Sequence, residues 1–312
     1  MKKTVLLLGG YGFIGTNILD YIGIHLSDAY RVIVFDKFPA HPAGLRFRCA
    51  ERTYAGDFSD SYLLESIFTE NSIDMVIHAL STTVPAVSFN AKYDVESNLV
   101  PTIGLLDTMA RHGVRDIVYI SSGGAVYGDS RTDAHAETDD VFPKSSYGVV
   151  KLAIEKYLMQ YAGLYGFRPL ILRLSNPYGP FHYSMKQGIC NVAMATALRK
   201  DTFRVWGDGN GCKDYIYISD FVDILFRLID LKVNRLVVNI GSGSTCSVNG
   251  ILGEIKKLVP GFKWEYTEAS KFDVSDFRLD LSLLEKLIGK YRFVSLEEGL
   301  KLTYRWTKTI IC

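Results

Sequence analysis

The run Gly9-Gly-Tyr-Gly12-Phe-Ile-Gly15 limits what this chain can fold into more than any other stretch. Residues 5–8, Val-Leu-Leu-Leu, precede it as an unbroken apolar run. That is the pattern of a parallel strand covered on both faces. Residues 16–24 follow it and read as a helix. A strand that turns at once into a helix needs glycine where the backbone curls, where a ligand comes close and where helix packs on strand. Glycines at 9, 12 and 15 stand at those places. The helix N-terminus then offers backbone N–H groups to a diphosphate, with Phe13 and Ile14 in the turn before it.

The alternation continues down the chain. Residues 31–35 are a second strand, closed by Asp36. A carboxylate about 20 positions beyond the glycines can accept hydrogen bonds from an adenosine ribose. It also repels a 2′-phosphate, which favours NAD over NADP; the plainer role for it is a loop cap. Residues 53–58 form a third short strand ending in acid. Asp57 can meet an adenine amino group or cap a helix over 59–68. Residues 75–78 are the fourth strand, and Ala79, Leu80 and Ser81 after it are small or apolar enough to let a cofactor pass. Residues 94–113 are helical, with Val95, Leu99, Ile103, Leu106 and Met109 at intervals of three or four, Asn98 among them, and Gly113 as the stop. Residues 117–120 are the fifth strand, followed by Ser121-Ser122-Gly123-Gly124-Ala-Val-Tyr127-Gly128. A helix over 147–165 stops at Gly166, and a sixth strand covers 170–174. The fold class is α/β, a Rossmann-type doubly wound parallel sheet. Ligands on such sheets sit beyond the strand C-terminal ends, where Gly9, Asp36, Asp57, Ala79, Ser122 and Ser175 fall.

Tyr147-Gly-Val-Val-Lys151 places a phenol and an ammonium four residues apart on one helix face. A nearby ammonium favours phenolate, so it lowers a tyrosine pKa of about 10 and makes Tyr147 a candidate general base. Taken alone, the pair is also a common decoration of a solvated helix. Composition excludes several other classes. With 35 basic and 34 acidic side chains, the net charge of +1 argues against nucleic acid or anionic membrane as partner. Five scattered cysteines, with no Cys-x-x-Cys, suit a reducing cytoplasm, and no metal site is expected. Lys2 and Lys3 before an apolar run mimic a signal peptide, but the glycines break the run too soon, and no segment is long enough to span a bilayer.

Taken together, the motifs resemble the extended short-chain dehydrogenases/reductases of the nucleotide-sugar epimerase/dehydratase branch, with the UDP-glucose 4-epimerases as the model. The pieces that match, in order, are the glycine turn, Asp57-Phe58, His78-Ala79-Leu80, Asn98, Ser121 to Gly128, Tyr147 to Lys151, Arg173-Leu-Ser-Asn176-Pro-Tyr-Gly-Pro180 and the stretch Trp206 to Asp220. The resemblance implies NAD as cofactor, Tyr147 as acid/base and Lys151 as its electrostatic partner on the nicotinamide ribose. It extends the cofactor set to Lys37, Phe58, Asn98 and Pro177. It places Thr83, Gly123, Asn176, Arg204, Lys213 and Lys271 on the substrate side, with Arg278 a further candidate for phosphate. The family usually carries a Ser or Thr hydroxyl beside the tyrosine; that position is Gly123 here, and Ser122 ranks first as its replacement, ahead of Ser121. Lys213 stands where an arginine is common and lacks the bidentate fork.

The second half is less regular, as a smaller α/β substrate domain would be. Helices are expected over 190–198, 220–231, 249–258, 281–288 and 296–306, and strands over 203–207 and 236–240. The expected division is an NAD domain over 1–174, with 214–241 returning to it, and a C-terminal substrate domain over 175–213 and 242–312. The leading activity implied is epimerisation of a nucleotide-sugar at C4, a UDP-hexose first, through a transient 4-keto sugar. A 4-ketoreductase or a 4,6-dehydratase is the alternative, although the Asp-Glu pair of the resembling dehydratases is replaced by Gly124-Ala125. A non-catalytic dinucleotide sensor is the reading from another class. The resemblance also implies a homodimer through the helices over 94–113 and 147–165, and a place in polysaccharide precursor synthesis.

Overall fold

The computed structural model describes residues 2–83, 90–128, 134–268 and 276–311. The first strand, β1 (Lys3–Leu8), is buried from Thr4 onward. It runs through the glycine turn into α1 (Phe13–His25). Then follow β2 (Tyr30–Asp36), β3 (Ala50–Ala55), α2 (Ser61–Glu70) and β4 (Met75–His78). The next helical stretch has three parts: α3 (Ala91–Asp94), a π-helical turn at Val95–Leu99, and α4 (Val100–Arg111). β5 (Asp116–Ser122), α5 (Gly123–Tyr127), α6 (Ser146–Tyr165) and β6 (Arg168–Leu174) come next.

The second half holds β7 (Asn176–Tyr178), α7 (Ile189–Leu198), β8 (Thr202–Trp206), β9 (Cys212–Tyr217) and α8 (Ile218–Asp230). It ends with β10 (Leu236–Ile240), β11 (Thr245–Ser247), α9 (Val248–Leu258), β12 (Lys263–Thr267), α10 (Ser282–Ile288) and α11 (Leu296–Ile311).

Seven strands form one sheet in the order β10-β6-β5-β4-β1-β2-β3. β1 pairs in parallel with β2 on one side and β4 on the other, so the order reverses at β1. A crevice opens at such a switch point, beyond the strand C-terminal ends. Alternation along the strands divides the core. Leu6, Leu8, Ile33, Phe35 and Ile117 pack with Ile67 of α2, Leu105 and Met109 of α4, and Ile154 and Leu158 of α6. Val5, Leu7, Val32 and Val34 are equally buried and point to the other face. Each such side chain contributes about 1.5–3 kcal/mol by leaving water.

Two departures from the sequence expectation have local causes. β3 ends at Ala55, so Asp57 and Phe58 lie beyond it. Asp57 Oδ1 accepts from the Ser59 N–H and hydroxyl, and the cap of α2 is Asp60, which accepts from the Leu63 N–H at 3.0 Å. The helix over 94–113 contains the π turn at Val95–Leu99 because one residue is accommodated there without breaking the apolar face.

The chain divides into two compact units. The first comprises Met1–Ser122, Ser145–Arg173 and Ile229–Val238; the second comprises Gly123–Lys144, Leu174–Leu228 and Asn239–Cys312. Residues 123–144 thus cluster with the second unit, and of 214–241 only Ile229–Val238 clusters with the first. The second unit has its own core, with Tyr178, Cys190, Met194, Val205, Ile251, Leu252 and Leu300 at its centre. No helix among the described residues is long and apolar enough to cross a membrane.

Candidate active site

The glycine turn is shaped by close approach. Gly9 has φ +75°, and a Cβ there would lie 2.9 Å from Leu80 Cα, in the loop that follows β4. A Cβ on Gly15 would run into the Gly9 carbonyl oxygen. α1 starts at Phe13 with no side-chain cap and no acidic residue in its first turn. Its N-terminus therefore presents backbone dipoles with no acidic side chain in its own first turn. Asp36, 8% exposed at the end of β2, holds this turn: its Oδ2 accepts from the Tyr11 N–H at 2.9 Å and its Oδ1 from the Phe38 N–H at 3.2 Å. Lys37 beside it is exposed.

Asn98, on the π turn, clamps the loop after β4. Its Oδ1 accepts from the Thr82 N–H at 2.9 Å, and its Nδ2 donates to Thr82 Oγ1 at 2.7 Å. The Ser81 hydroxyl donates to the Thr83 carbonyl at 2.8 Å. Leu80, Ser81, Thr83 and Asn98 line one pocket with Tyr147 and Lys151, so these predicted residues come together within the first unit. His78, at its base, bonds Thr102 Oγ1 at 3.0 Å. Burial pulls its pKa down to about 3, so it is neutral and structural.

The helix register sets the reacting groups. Ser145 caps α6 by accepting from the Gly148 N–H at 3.2 Å. Tyr147 then falls in the first turn and Lys151 one turn on. The Lys151 ammonium donates to the Ile120 carbonyl at 2.9 Å. It lies 4.8 Å from the Tyr119 ring centroid and 5.6 Å from that of Tyr147. Ser122, at the end of β5, is hydrogen-bonded to the Tyr147 phenol. The shifts run opposite to the direction that the spacing alone suggests. Burial pushes Tyr147 up to about 12, and the Ser122 hydroxyl opposes only part of that rise. Burial likewise pulls Lys151 down to about 8, against the pull of Glu155. The phenol's pKa is raised because desolvation outweighs the Ser122 hydrogen bond. The two side chains approach as ring and cation, while the ammonium's hydrogen bond goes to a backbone carbonyl.

Gly123 opens α5 in the second unit. A Cβ on it would lie 2.9 Å from Phe277 Cζ and 3.2 Å from Leu279 Cδ2. Phe277, Leu279 and Tyr127 form a small apolar cluster, so no serine or threonine fits at 123 without displacing them. Asn176 Nδ2 donates to the Asp214 carbonyl at 2.8 Å, and Pro177 follows it in β7, which pairs with β9. Asp214 is fully buried and accepts from Ser242 N at 2.8 Å and Gly243 N at 3.0 Å, fixing that turn. Arg204 is exposed and paired with Glu265 at 3.0 Å, while Lys213 lies in β9 opposite Cys246. Arg278 donates to the Gly243 carbonyl at 3.1 Å. Lys271 lies outside the described residues.

Sequence reasoning missed a group behind Lys151. Glu155 is 2% exposed, accepts from the Ser121 hydroxyl at 2.5 Å and is bridged to Arg173 at 2.8 Å. The spacing 147, 151, 155 was the available signal.

An uncapped α1, a cradle that Cβ atoms would fill and an acidic strand end fit a dinucleotide. The family model described as NAD dependent epimerase/dehydratase matches residues 5–241. The chain belongs to the NAD-dependent epimerase/dehydratase family. NAD is its cofactor. Among family members, a Methanocaldococcus jannaschii protein provisionally named UDP-glucose 4-epimerase is 32% identical over 308 residues, 97% of this chain and 98% of its own. An Escherichia coli dTDP-4-dehydro-6-deoxyglucose reductase is 29% identical over 270 residues, 84% of this chain and 85% of its own. The solved structure of Thermotoga maritima UDP-glucose 4-epimerase with UDP-glucose matches with a TM-score of 0.91 at 30% identity, covering 99% of this chain and 100% of that one.

Proposed function

We propose that the protein interconverts the C4 epimers of a nucleotide-sugar, a UDP-hexose first, with Tyr147 as the single acid/base. The observation that carries this reading is the half-buried tyrosine in the first turn of α6, its phenol hydrogen-bonded to Ser122 and its ring flanked by the Lys151 ammonium. A helix N-terminus and an ammonium both favour negative charge on that oxygen. As phenolate, Tyr147 takes the proton of the sugar 4-hydroxyl, and Ser122 and Lys151 hold the charge in place. When bound, NAD supplies the hydride acceptor and a positive ring charge. Once the 4-keto sugar has turned its other face to the cofactor, the hydride would return to C4 from that face and Tyr147 would give its proton back to the C4 oxygen.

Gly9, Gly12, Phe13, Ile14 and Gly15 would hold the diphosphate of NAD, and Asp36 and Lys37 its ribose. Asp57, Phe58, Ala79, Leu80, Ser81, Asn98 and Pro177 complete that side. Thr83, Gly123, Asn176, Arg204, Lys213 and Lys271 are assigned to the sugar nucleotide. Gly124-Ala125 offers no acid and base for loss of water, which disfavours a dehydratase. A 4-ketoreductase is the second reading, supported by the similarity to the E. coli reductase.

Incubation with UDP-glucose, UDP-galactose and their N-acetyl forms, with product analysis, tests the proposal. Tyr147→Phe is expected to lower kcat by about 10²–10⁴-fold while NAD still co-purifies. An unchanged rate in that variant would sink the mechanism. Net consumption of NADH by a 4-keto sugar, without epimer exchange, would point to the reductase.

A homodimer built through α4 and α6 belongs to the same proposal. Val100 on α4 is 55% exposed, and Val149 and Leu164 on α6 are 52% and 66% exposed. A cytoplasmic place in polysaccharide precursor synthesis is the setting that such a substrate suits.

A further inference from the structure

Glu155 stands one helical turn beyond Lys151 and two beyond Tyr147, so three ionisable side chains rise along one face of α6. Its carboxylate is held on both sides. Oε1 accepts from the Ser121 hydroxyl at 2.5 Å, and Oε2 from Arg173 Nη2 at 2.8 Å. Ser121 and Arg173, on β5 and β6, are themselves 3% and 4% exposed. Lys151 donates to the carbonyl of Ile120, the residue just before Ser121. Carboxylate, hydroxyl and ammonium are thus fastened to one short stretch of β5 that ends at Ser122.

A buried ion pair is a costly way to hold a helix on a sheet. Well-packed apolar side chains of the same volume do it as well or better. Apolar side chains would not supply a negative potential one turn from a buried ammonium.

We infer that Glu155 is a positioning residue, fixed by Ser121 and Arg173 where its charge keeps Lys151 as an ammonium directed at the Ile120 carbonyl beside Tyr147. The groups around Lys151 agree. On its own helix it has Tyr147 and Glu155. β5 contributes Tyr119, whose phenol burial holds well above its usual range. β4 contributes His78, neutral at working pH. Arg173 acts from β6 through Glu155, and Asp94 is the buried carboxyl of α3, which packs against α6. Burial pulls Lys151 down to about 8, and the Glu155 charge opposes it. Without that charge, the amine would lose its proton within the working range.

The inference rests on the epimerase reading for its kinetic arm alone. The other arm is a carbon NMR titration of Lys151 in lysine-labelled protein, with the signal assigned by its loss in Lys151→Arg. In Glu155→Gln, the Lys151 midpoint and the alkaline limb of kcat/KM are both expected to fall by about one pH unit, with little change in KM. Glu155→Asp, which keeps the charge, is expected to restore most of both. Glu155→Gln leaves Arg173 without its carboxylate and can fail to fold. The double variant Glu155→Gln/Arg173→Gln removes the uncompensated charge and supplies the folded sample. If Glu155 served only to pair Arg173, the double variant would titrate like Arg173→Gln alone, which keeps the carboxylate, and that result overturns the inference. A lowered Lys151 midpoint with no turnover of any sugar nucleotide would overturn the epimerase reading and leave this one standing.

Discussion

Tyr147 and Lys151 are pulled in opposite directions by the same burial. The phenol is raised to about 12 and the amine lowered to about 8. Both shifts favour the neutral forms, although the amine still carries its proton at neutral pH. Activity that needs the ammonium is expected to decline above about pH 8, which a kcat/KM profile reads directly. His78 is a different kind of buried base. Its folded-state pKa of about 3 lies below the ordinary histidine value. The unfolded chain therefore takes up its proton first as pH falls. Stability is fully present above about pH 6.5 and is lost below it by about 1.4 kcal/mol per pH unit. Denaturant unfolding between pH 7 and 4 should show a slope that much steeper in the wild type than in His78→Gln. Equal slopes would mean that His78 is not held neutral.

α5 and the segment bearing Phe277 and Leu279 are complementary parts. Gly123→Ser is expected to cost about 1–3 kcal/mol by overpacking against Phe277 and Leu279. Pairing it with Phe277→Leu should recover part of that loss, giving a coupling of about 0.5–3 kcal/mol in a double-mutant cycle of unfolding free energies. Strict additivity would count against the contact. The sequence could not show this fit, because Gly123 and Phe277 are far apart in the chain and only the tertiary fold joins them. Short-range features were far more legible. β4 at Met75–His78 and β10 at Leu236–Ile240 match the sequence reading to the residue, since each is a short, mostly apolar run that opens directly after a charged residue. The glycine turn was legible because its spacing is its chemistry. The π turn at Val95–Leu99 was hidden, since one extra residue leaves the apolar period nearly intact. Asp57 was ambiguous because a strand-end acid and an Asx turn look alike in one dimension. The upward shift of Tyr147 was not legible because proximity of a charge is written in the spacing, whereas desolvation is a property of the packed fold.

At the scale of the whole molecule, α4 and α6 pack against each other and leave the apolar side chains Val100, Val149 and Leu164 exposed. Such side chains suit a second copy of the chain, since like helices can pair about a two-fold axis. Light scattering at micromolar concentration should give twice the chain mass, and Leu164→Glu should lower it toward one chain. A wild-type chain that is monomeric at that concentration would remove the dimer.

The chain passes between its two units at 122/123, 144/145, 173/174, 228/229 and 238/239. The strand that covers the β6 edge of the large sheet, β10, is made only at Leu236–Ile240. During synthesis the growing polypeptide must therefore leave the tunnel with that edge bare, through the whole time needed to translate β7 to α8. An unpaired edge is a template for pairing with other chains. A chain that stops before residue 236 therefore lacks the strand that closes that edge and is expected to aggregate more readily than the full chain.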